Sequence, residues 1–321
     1  MSQPALFSLP IALASLFANW AHFLHLSFQH RGELMSNEPQ GGGSEPQKEL
    51  SRPSAKEIYV QVADNARDEL KRSVLSLSIS GFAGGIFMGF SGLGVAISTA
   101  LLGSSAMSLF IAQMFYPIGF IIVILGRAQL FTENTLYPVA LSLAEHRHFK
   151  RTLRLWGIVL VANVAGACAF ALLVARTPAL SPEFLSQLAH IGLESVQRAP
   201  SSIFWSAVVA GWMIAMVAWL VSASHSITGS VMVIWALTFL IGLGHFAHCI
   251  AGSGEVLTAV LTHQVAWSGY VRWLALAVAG NISGGVIIVT LLEYGQVIAD
   301  EDGKNAVAED AEKHKEEEVE I

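Results

Sequence analysis

The chain has 321 residues, 53% of them hydrophobic and 13% charged, with a mean hydropathy of +0.55 and a formal net charge of −6. Soluble domains carry about 25% charged residues, so a soluble enzyme, a nucleic-acid binder and a disordered scaffold are excluded and a polytopic membrane protein is indicated. Most charged residues lie before Ser73 or after Glu293, and the net charge comes mainly from the acidic C-terminal tail, so it says nothing of fold or substrate.

In chain order, residues 1–72 read as an N-terminal extension and cytoplasmic segment. Pro4 to Gln29 is apolar enough for a seventh span or a secretory signal, but it lacks a positive n-region and contains Pro10, His22, His25 and His30. Residues 1–34 are therefore read as a non-core extension, or as a segment upstream of a start at Met35. A bilayer core takes about 20 apolar residues to cross, and six candidate spans follow between 73 and 293. They are 74–97, 106–126 running on to 143, 155–175, 203–223, 229–247 running on to 262, and 271–292. The second is interrupted by Gly126-Arg127-Ala128-Gln129 and Thr132-Glu133-Asn134-Thr135. The fifth is interrupted by Gly242 to His245, His248 and Gly252-Ser253-Gly254-Glu255. Irregular backbone at membrane depth survives only where it is buried or lines a cavity, so paired interruptions point to a permeation path.

Arg67, Lys71 and Arg72 precede the first span, and Arg147, Lys150, Arg151 and Arg154 lie between the second and third. By the positive-inside rule these sides are cytoplasmic, and six spans return the 294–321 tail to the same side. The stretch from Glu145 to Arg154 reads as a topology determinant and solvated loop, and the tail as a solvated, partly helical end. The 176–201 stretch reads as the longest external connection, where Arg176 and Arg198 are an exception to the charge pattern. Trp156, Trp267 and Trp273 fall near span ends, where interfacial anchors sit. Cys168 and Cys249 lie in apolar runs and read as small core residues rather than a disulfide framework. Asn163-x-x-Gly166 in the third span and Asn281-x-x-Gly284 in the sixth suggest an internal repeat of spans one to three in spans four to six. An odd number of spans per repeat makes the halves inverted.

The runs Gln129-Leu130-Phe131-Thr132-Glu133-Asn134, Gly244-His245-Phe246-Ala247-His248-Cys249-Ile250-Ala251 and Gly280-Asn281-Ile282-Ser283-Gly284-Gly285 resemble the signature segments of the formate/nitrite transporter family. Arg127 to Thr135 and Gly252 to Glu255 look most like its YfdC-like branch. The resemblance covers residues 50–295. It implies an aquaporin-like six-helix bundle of two inverted three-helix repeats with broken second and fifth helices. It also implies a homopentamer with one pore per subunit in the inner (cytoplasmic) membrane, passing small monovalent weak-acid anions, often with protons. No cofactor, metal or nucleic acid is implied.

An ionisable side chain inside a membrane is a functional hypothesis by default, and imidazole exchanges protons near neutral pH. By resemblance His248 is the central pore histidine; read from residues alone, a core histidine bonded to a helix carbonyl is the favoured reading. Leu130, Phe131 and Thr132 match the segment where the second helix breaks, an apolar constriction followed by a hydroxyl. Phe120, Ile241 and Asn281 complete the expected constriction and substrate path. Arg127, Glu133 and Glu255 flank the breaks, and an Arg–carboxylate network holding the broken segments is the expectation. His245, one turn before His248, is read as structural. Gln129 stands where better-known branches carry an acid, and Ala215 where they carry Asn. Two other readings stay open: a non-transporting scaffold or sensor of the same fold, and a neutral-solute pore, although no Asn-Pro-Ala repeat occurs. A membrane enzyme using His146, His148, His245 and His248 as metal ligands has no His-Glu-x-x-His to support it.

Overall fold

The computed structural model describes residues 53–290, 295–297, 299, 305 and 307–314. The expectations for residues 1–34 lie outside that set. Among the described residues the chain is helical, with no strand.

Helix α1 (Ala55–Lys71) starts at a capping box, in which the Glu57 N–H donates to Ser54 Oγ and the Ser54 N–H donates to Glu57 Oε2 at 2.8 Å. Its buried residues Tyr59, Val62, Ala63, Ala66 and Leu70 recur at helical spacing and form one apolar face. Helix α2 (Val74–Leu102) is the first span. The second is divided into α3 (Ala106–Gln113), α4 (Pro117–Leu125), a 3₁₀ turn (Glu133–Thr135) and α5 (Tyr137–Glu145). Helix α6 (Phe149–Arg176) is the third, followed by α7 (Pro182–Gln197) and α8 (Pro200–Ser222). The fifth is divided into α9 (Ile227–Leu243) and α10 (Ala251–Leu261), and α11 (Trp267–Ile282) runs on as a π-helical segment, Ser283–Thr290.

Val74–Leu102, Ala106–Leu125, Phe149–Arg176, Pro200–Ser222 and Trp267–Ile287 are five helices long and apolar enough to cross a membrane, and Ile227–Leu243 and Ala251–Leu261 are shorter apolar ones. The second and fifth spans lose regular helix after Gly126 and Gly244, as predicted. Gly252-Ser253-Gly254-Glu255, however, is not an interruption: it forms the first turns of α10, and the second span has a further bend at 114–116. The core lies between α2 and α6 and between α8 and α11, which pack extensively on one another. Close backbone approach, without much help from the hydrophobic effect, is how helices associate in lipid. It depends on glycine at equivalent points: a Cβ on Gly85 of α2 would run into the Asn163 carbonyl of α6, and one on Gly211 of α8 into the Asn281 carbonyl of α11.

The two longer connections and the tail differ from expectation. The 176–201 connection contains a 16-residue helix, α7, which buries Leu188 beside Ala96 of α2 and Phe170 and Val174 of α6, and packs Gly192 on the backbone of Glu255 in α10. The 144–154 connection shrinks to 146–148, because α6 begins at Phe149 and carries Lys150, Arg151 and Arg154 on its first turns. The tail is helical over 307–314 and docked rather than freely solvated. Asp310 reaches the Arg67 guanidinium at 2.7 Å, which also holds Glu145 at 2.8 Å and Asp64 at 3.1 Å. Arg67 is therefore a clamp joining α1, the end of α5 and the tail, beyond its predicted part in setting orientation. Burial by itself would push the Glu145 carboxyl up, but hydrogen bonds from Arg67, His148 and Arg147 outweigh it and hold Glu145 below the usual carboxylate range. Desolvation of Arg67 is likewise outweighed by Asp310 and Glu145, which raise its already high value, so it stays charged.

Candidate functional site

The two breaks are built alike. Each preceding helix ends on a glycine, Gly126 or Gly244, and each next residue is left-handed, Arg127 at φ 56° and His245 at φ 49°. Non-glycine residues rarely hold this conformation, so both positions turn the chain sharply out of the helix. An asparagine from a neighbouring helix then ties down each irregular segment. Asn163 Oδ1 accepts the Phe131 N–H at 2.8 Å, and its Nδ2 donates to the carbonyls of Gln129 at 2.8 Å and Gly81 at 2.7 Å. Asn281 Oδ1 accepts the Cys249 N–H at 2.9 Å, and its Nδ2 donates to the carbonyls of Ala247 at 2.9 Å and Ala207 at 2.8 Å. Backbone polar groups freed from a helix at membrane depth need such internal partners. The repeat suggested by Asn-x-x-Gly is thus carried into the contacts.

Each asparagine grips the residues on either side of one side chain, Leu130 in the first half and His248 in the second. These occupy equivalent positions and both are buried. His248 Nδ1 accepts the Ala251 N–H at 3.1 Å, so the neutral ring carries its proton on Nε2, which donates to Thr132 Oγ1 at 2.7 Å. The hydroxyl of one half thus meets the imidazole of the other. Phe120 stands edge-on to the His248 ring, with centroids 4.9 Å apart. Leu130, Phe131, Thr132, Phe120 and Ile241 are all fully buried, with Phe131 edge-on to Trp156.

A cavity of about 590 Å³ reaches His248 from the side of α7, lined also by Gln113, Tyr116, Ile241, His245, Glu255 and Trp273. A much smaller one, about 30 Å³, opens at the first break beside Glu69, Arg127, Gln129, Glu133 and Tyr137. The expected charge network does not form. Arg127 is exposed, no ion pair among the described residues joins Arg127, Glu133 or Glu255, and the two carboxylates divide between the two cavities. Nor do they occupy matching positions. Counted from the asparagine contacts, Glu133 corresponds to Ala251, and Glu255 to Tyr137 one turn further on.

Other expectations change for the same geometric reasons. Both amide hydrogens of Asn281 go to backbone carbonyls, so it positions the break rather than presenting a free group to a substrate path. His245 is separated from His248 by irregular backbone, so the two do not share a helical face, and His245 is exposed while its carbonyl accepts from Arg198. Gln129 accepts a hydrogen bond from Asn134 inside the first break. Trp156, half-buried, donates to the Asn134 carbonyl at 2.8 Å, whereas Trp273 is buried against Gly252 and is a core residue rather than an interfacial anchor. The sequence reading missed Gln113, Tyr116 and Trp273 as cavity walls. No spacing rule marks them, because they reach the cavity through the bend between α3 and α4 and through the packing of α11 on the second break.

The formate/nitrite transporter pattern matches residues 56–295, which include both breaks and both asparagines. The chain belongs to the formate/nitrite transporter family. This is a family of membrane transporters, not of enzymes. Among its relatives, the inner membrane protein YfdC of Escherichia coli (strain K12) is 33% identical over 276 residues, covering 85% of this chain and 88% of that protein. A probable formate transporter of Methanothermobacter thermautotrophicus is 24% identical over 237 residues, 66% of this chain and 85% of that one. The fold is shared with an FNT family ion channel at TM-score 0.68 and 17% identity, over 76% of this chain and 98% of that one. It is also shared with a pentameric formate channel with formate bound, at TM-score 0.60 and 17% identity, over 71% and 98%.

Proposed function

We propose that this family member is a channel or permease for small monovalent weak-acid anions of the formate and nitrite kind, which cross its apolar centre as the neutral acid after proton exchange beside His248. The observation that carries this is the buried His248 Nε2–Thr132 Oγ1 pair, 2.7 Å long, at the end of the 590 Å³ cavity. An anion entering from that cavity, whose walls carry Gln113, Glu194, Gln197, Arg198 and Glu255, meets the imidazole and the Thr132 hydroxyl at its end. Bare charge is expensive at that depth, and a hydrophobic constriction such as Leu130, Phe131, Phe120 and Ile241 rejects hydrated ions by dewetting. A molecule that has gained a proton meets neither barrier. The ring can take up a proton itself only at Nδ1, which requires breaking the bond from the Ala251 N–H.

The channel domain is residues 73–293, with six crossings formed by α2, by α3 to α5, by α6, by α8, by α9 with α10 and by α11. The halves are inverted and the core termini cytoplasmic. A homopentamer in the inner membrane, with one path per subunit, is supported by the pentameric formate channel and by YfdC. The test is flux of formate and nitrite into liposomes holding the purified protein, between mildly acidic and mildly alkaline pH. His248→Ala and His248→Asn are expected to change the rate or its pH dependence sharply. An unchanged rate and pH response would remove His248 from the exchange. Absence of flux for every small anion would favour the scaffold reading, and uptake of neutral solutes alone would favour the neutral pore.

A further inference from the structure

We propose that Glu255 is the proton donor of this path, handing a proton to the anion in the α7-side cavity before the anion reaches His248. The inference rests on the weak-acid reading above and names the group that performs the exchange.

Four observations converge on Glu255. It lines the same cavity as His248. It is only 7% exposed, and among the described residues its carboxyl has no hydrogen-bond or ion-pair partner. Space has been cleared for it. A Cβ on Gly92 of α2 would lie 2.6 Å from Glu255 Cγ and 2.8 Å from Oε1, so any larger residue at 92 would displace the side chain. Finally, both nitrogens of neutral His248 are engaged, Nδ1 by the Ala251 N–H and Nε2–H by Thr132, and a neutral imidazole N–H is far too weak an acid to protonate a carboxylate.

The surrounding charged and titratable groups leave the carboxyl free. From the bend before α4 comes Tyr116, and from α7 comes Glu194, which pairs with His190 at 3.3 Å. Arg198 is held by the His245 carbonyl and Ser202, and Arg272 of α11 by the Val196 carbonyl. His245 and Cys249 come from the break itself, and Tyr270 of α11 pairs with Ser253. None of these cations is aimed at Glu255 to hold it as a carboxylate. The unpaired carboxyl alternates between acid and anion as protons arrive from the cavity. In the transfer the Glu255 O–H bond breaks and its electron pair stays on the carboxylate. The proton forms an O–H bond on the incoming anion, and the neutral acid moves on to the His248–Thr132 pair. Glu255 then takes another proton from the aqueous cavity, so one proton travels with each anion.

Formate uptake by proteoliposomes at stepped pH tests this. Glu255→Gln keeps the shape but carries no proton, and is expected to lower flux roughly tenfold or more and flatten its pH profile. Glu255→Asp is expected to keep a pH-dependent flux. Wild-type rate and profile in Glu255→Gln would overturn the proposal. Independently of variant folding, dicyclohexylcarbodiimide, which couples to protonated carboxyls in apolar surroundings, is expected to label wild-type Glu255, to block flux and to be kept off by formate. No label at Glu255 in a conducting protein would also overturn the proposal. A wild-type protein that passes neither formate nor nitrite would instead overturn the transport reading beneath it.

Discussion

Replacing Asn281 with alanine removes the tie between the second break and its neighbours without touching His248. Three hydrogen bonds disappear together, leaving the Cys249 N–H and the carbonyls of Ala247 and Ala207 without their partner in a fully buried site. Hydrogen bonds inside membrane proteins average about 0.6 kcal/mol each, which puts the minimum loss near 2 kcal/mol. Orphaned buried groups cost about 1–3 kcal/mol each, so a loss of about 5 kcal/mol is expected if the freed segment cannot find new partners. Because Ala247 and Cys249 flank His248, the imidazole also loses its fixed approach to Thr132, and flux should fall with stability. Thermal unfolding of the purified protein in detergent, followed by tryptophan fluorescence, and formate uptake in liposomes measure the two effects. The equivalent contacts of Asn163 require Asn163→Ala to cost a similar amount, within about 1 kcal/mol. Wild-type stability and flux in Asn281→Ala would refute the claim that the asparagine holds the break, and a large difference between the two variants would refute the equivalence of the halves.

Thr132→Val keeps the shape of the side chain but removes the oxygen that accepts from His248 Nε2; a fall in formate flux comparable to that of His248→Ala is expected in the same assays, with a loss of about 1–3 kcal/mol in unfolding for the one orphaned N–H. Gly85→Ala and Gly211→Ala each drive a methyl group against an asparagine carbonyl on the facing helix, and overpacking of this kind costs about 1–3 kcal/mol, measurable by thermal unfolding. Arg67→Ala removes the guanidinium that joins Glu145, Asp310 and Asp64 and leaves Glu145 with Arg147 and His148, so the loss should fall below the about 3–5 kcal/mol of a buried charge left with no partner; hydrogen exchange should rise in α1 and in 307–314 while the spans stay protected. The same clamp has a pH signature. Glu145 is held below its unfolded value, so its contribution is complete above the ordinary carboxylate range and is lost as pH falls through the folded value. Exchange in α1 should therefore rise on acidification and stay flat through neutral pH, where Arg67 remains charged.

The long spans were legible because apolar length is a direct requirement of the bilayer, and the breaks because Gly126, Gly244 and nearby polar residues violate it twice at corresponding places. The asparagines were legible as a repeat, although their work was not. A side chain that satisfies three backbone groups on two other segments leaves only Asn-x-x-Gly in the sequence, as any buried asparagine would. Helix α7 was missed because it follows a loop and is too short and too polar to cross a membrane, even though Ser181-Pro182-Glu183 is a helix start and Leu188, Gly192 and Val196 share a face. The charge network failed for an opposite reason. Proximity along the chain placed Arg127 and Glu133 together, whereas the left-handed turn at Arg127 sends that side chain to the surface. Glu255 looked like a counterpart of Glu133 until the asparagine contacts supplied the register, which shows it to be one turn away and alone.

The equivalence of Leu130 and His248 has a consequence for how such a path is specialised. Two like supports each hold one side chain at the centre, yet only one presents an imidazole; the other presents an alkyl group, and the residue matching Thr132 in the second half is Ile250. Structural symmetry and chemical asymmetry are thus carried by different atoms, the first by amide groups bonded to backbone and the second by a few exchangeable tips. Selectivity in this scaffold can drift by replacing those tips alone, leaving the lattice of backbone ties as it stands.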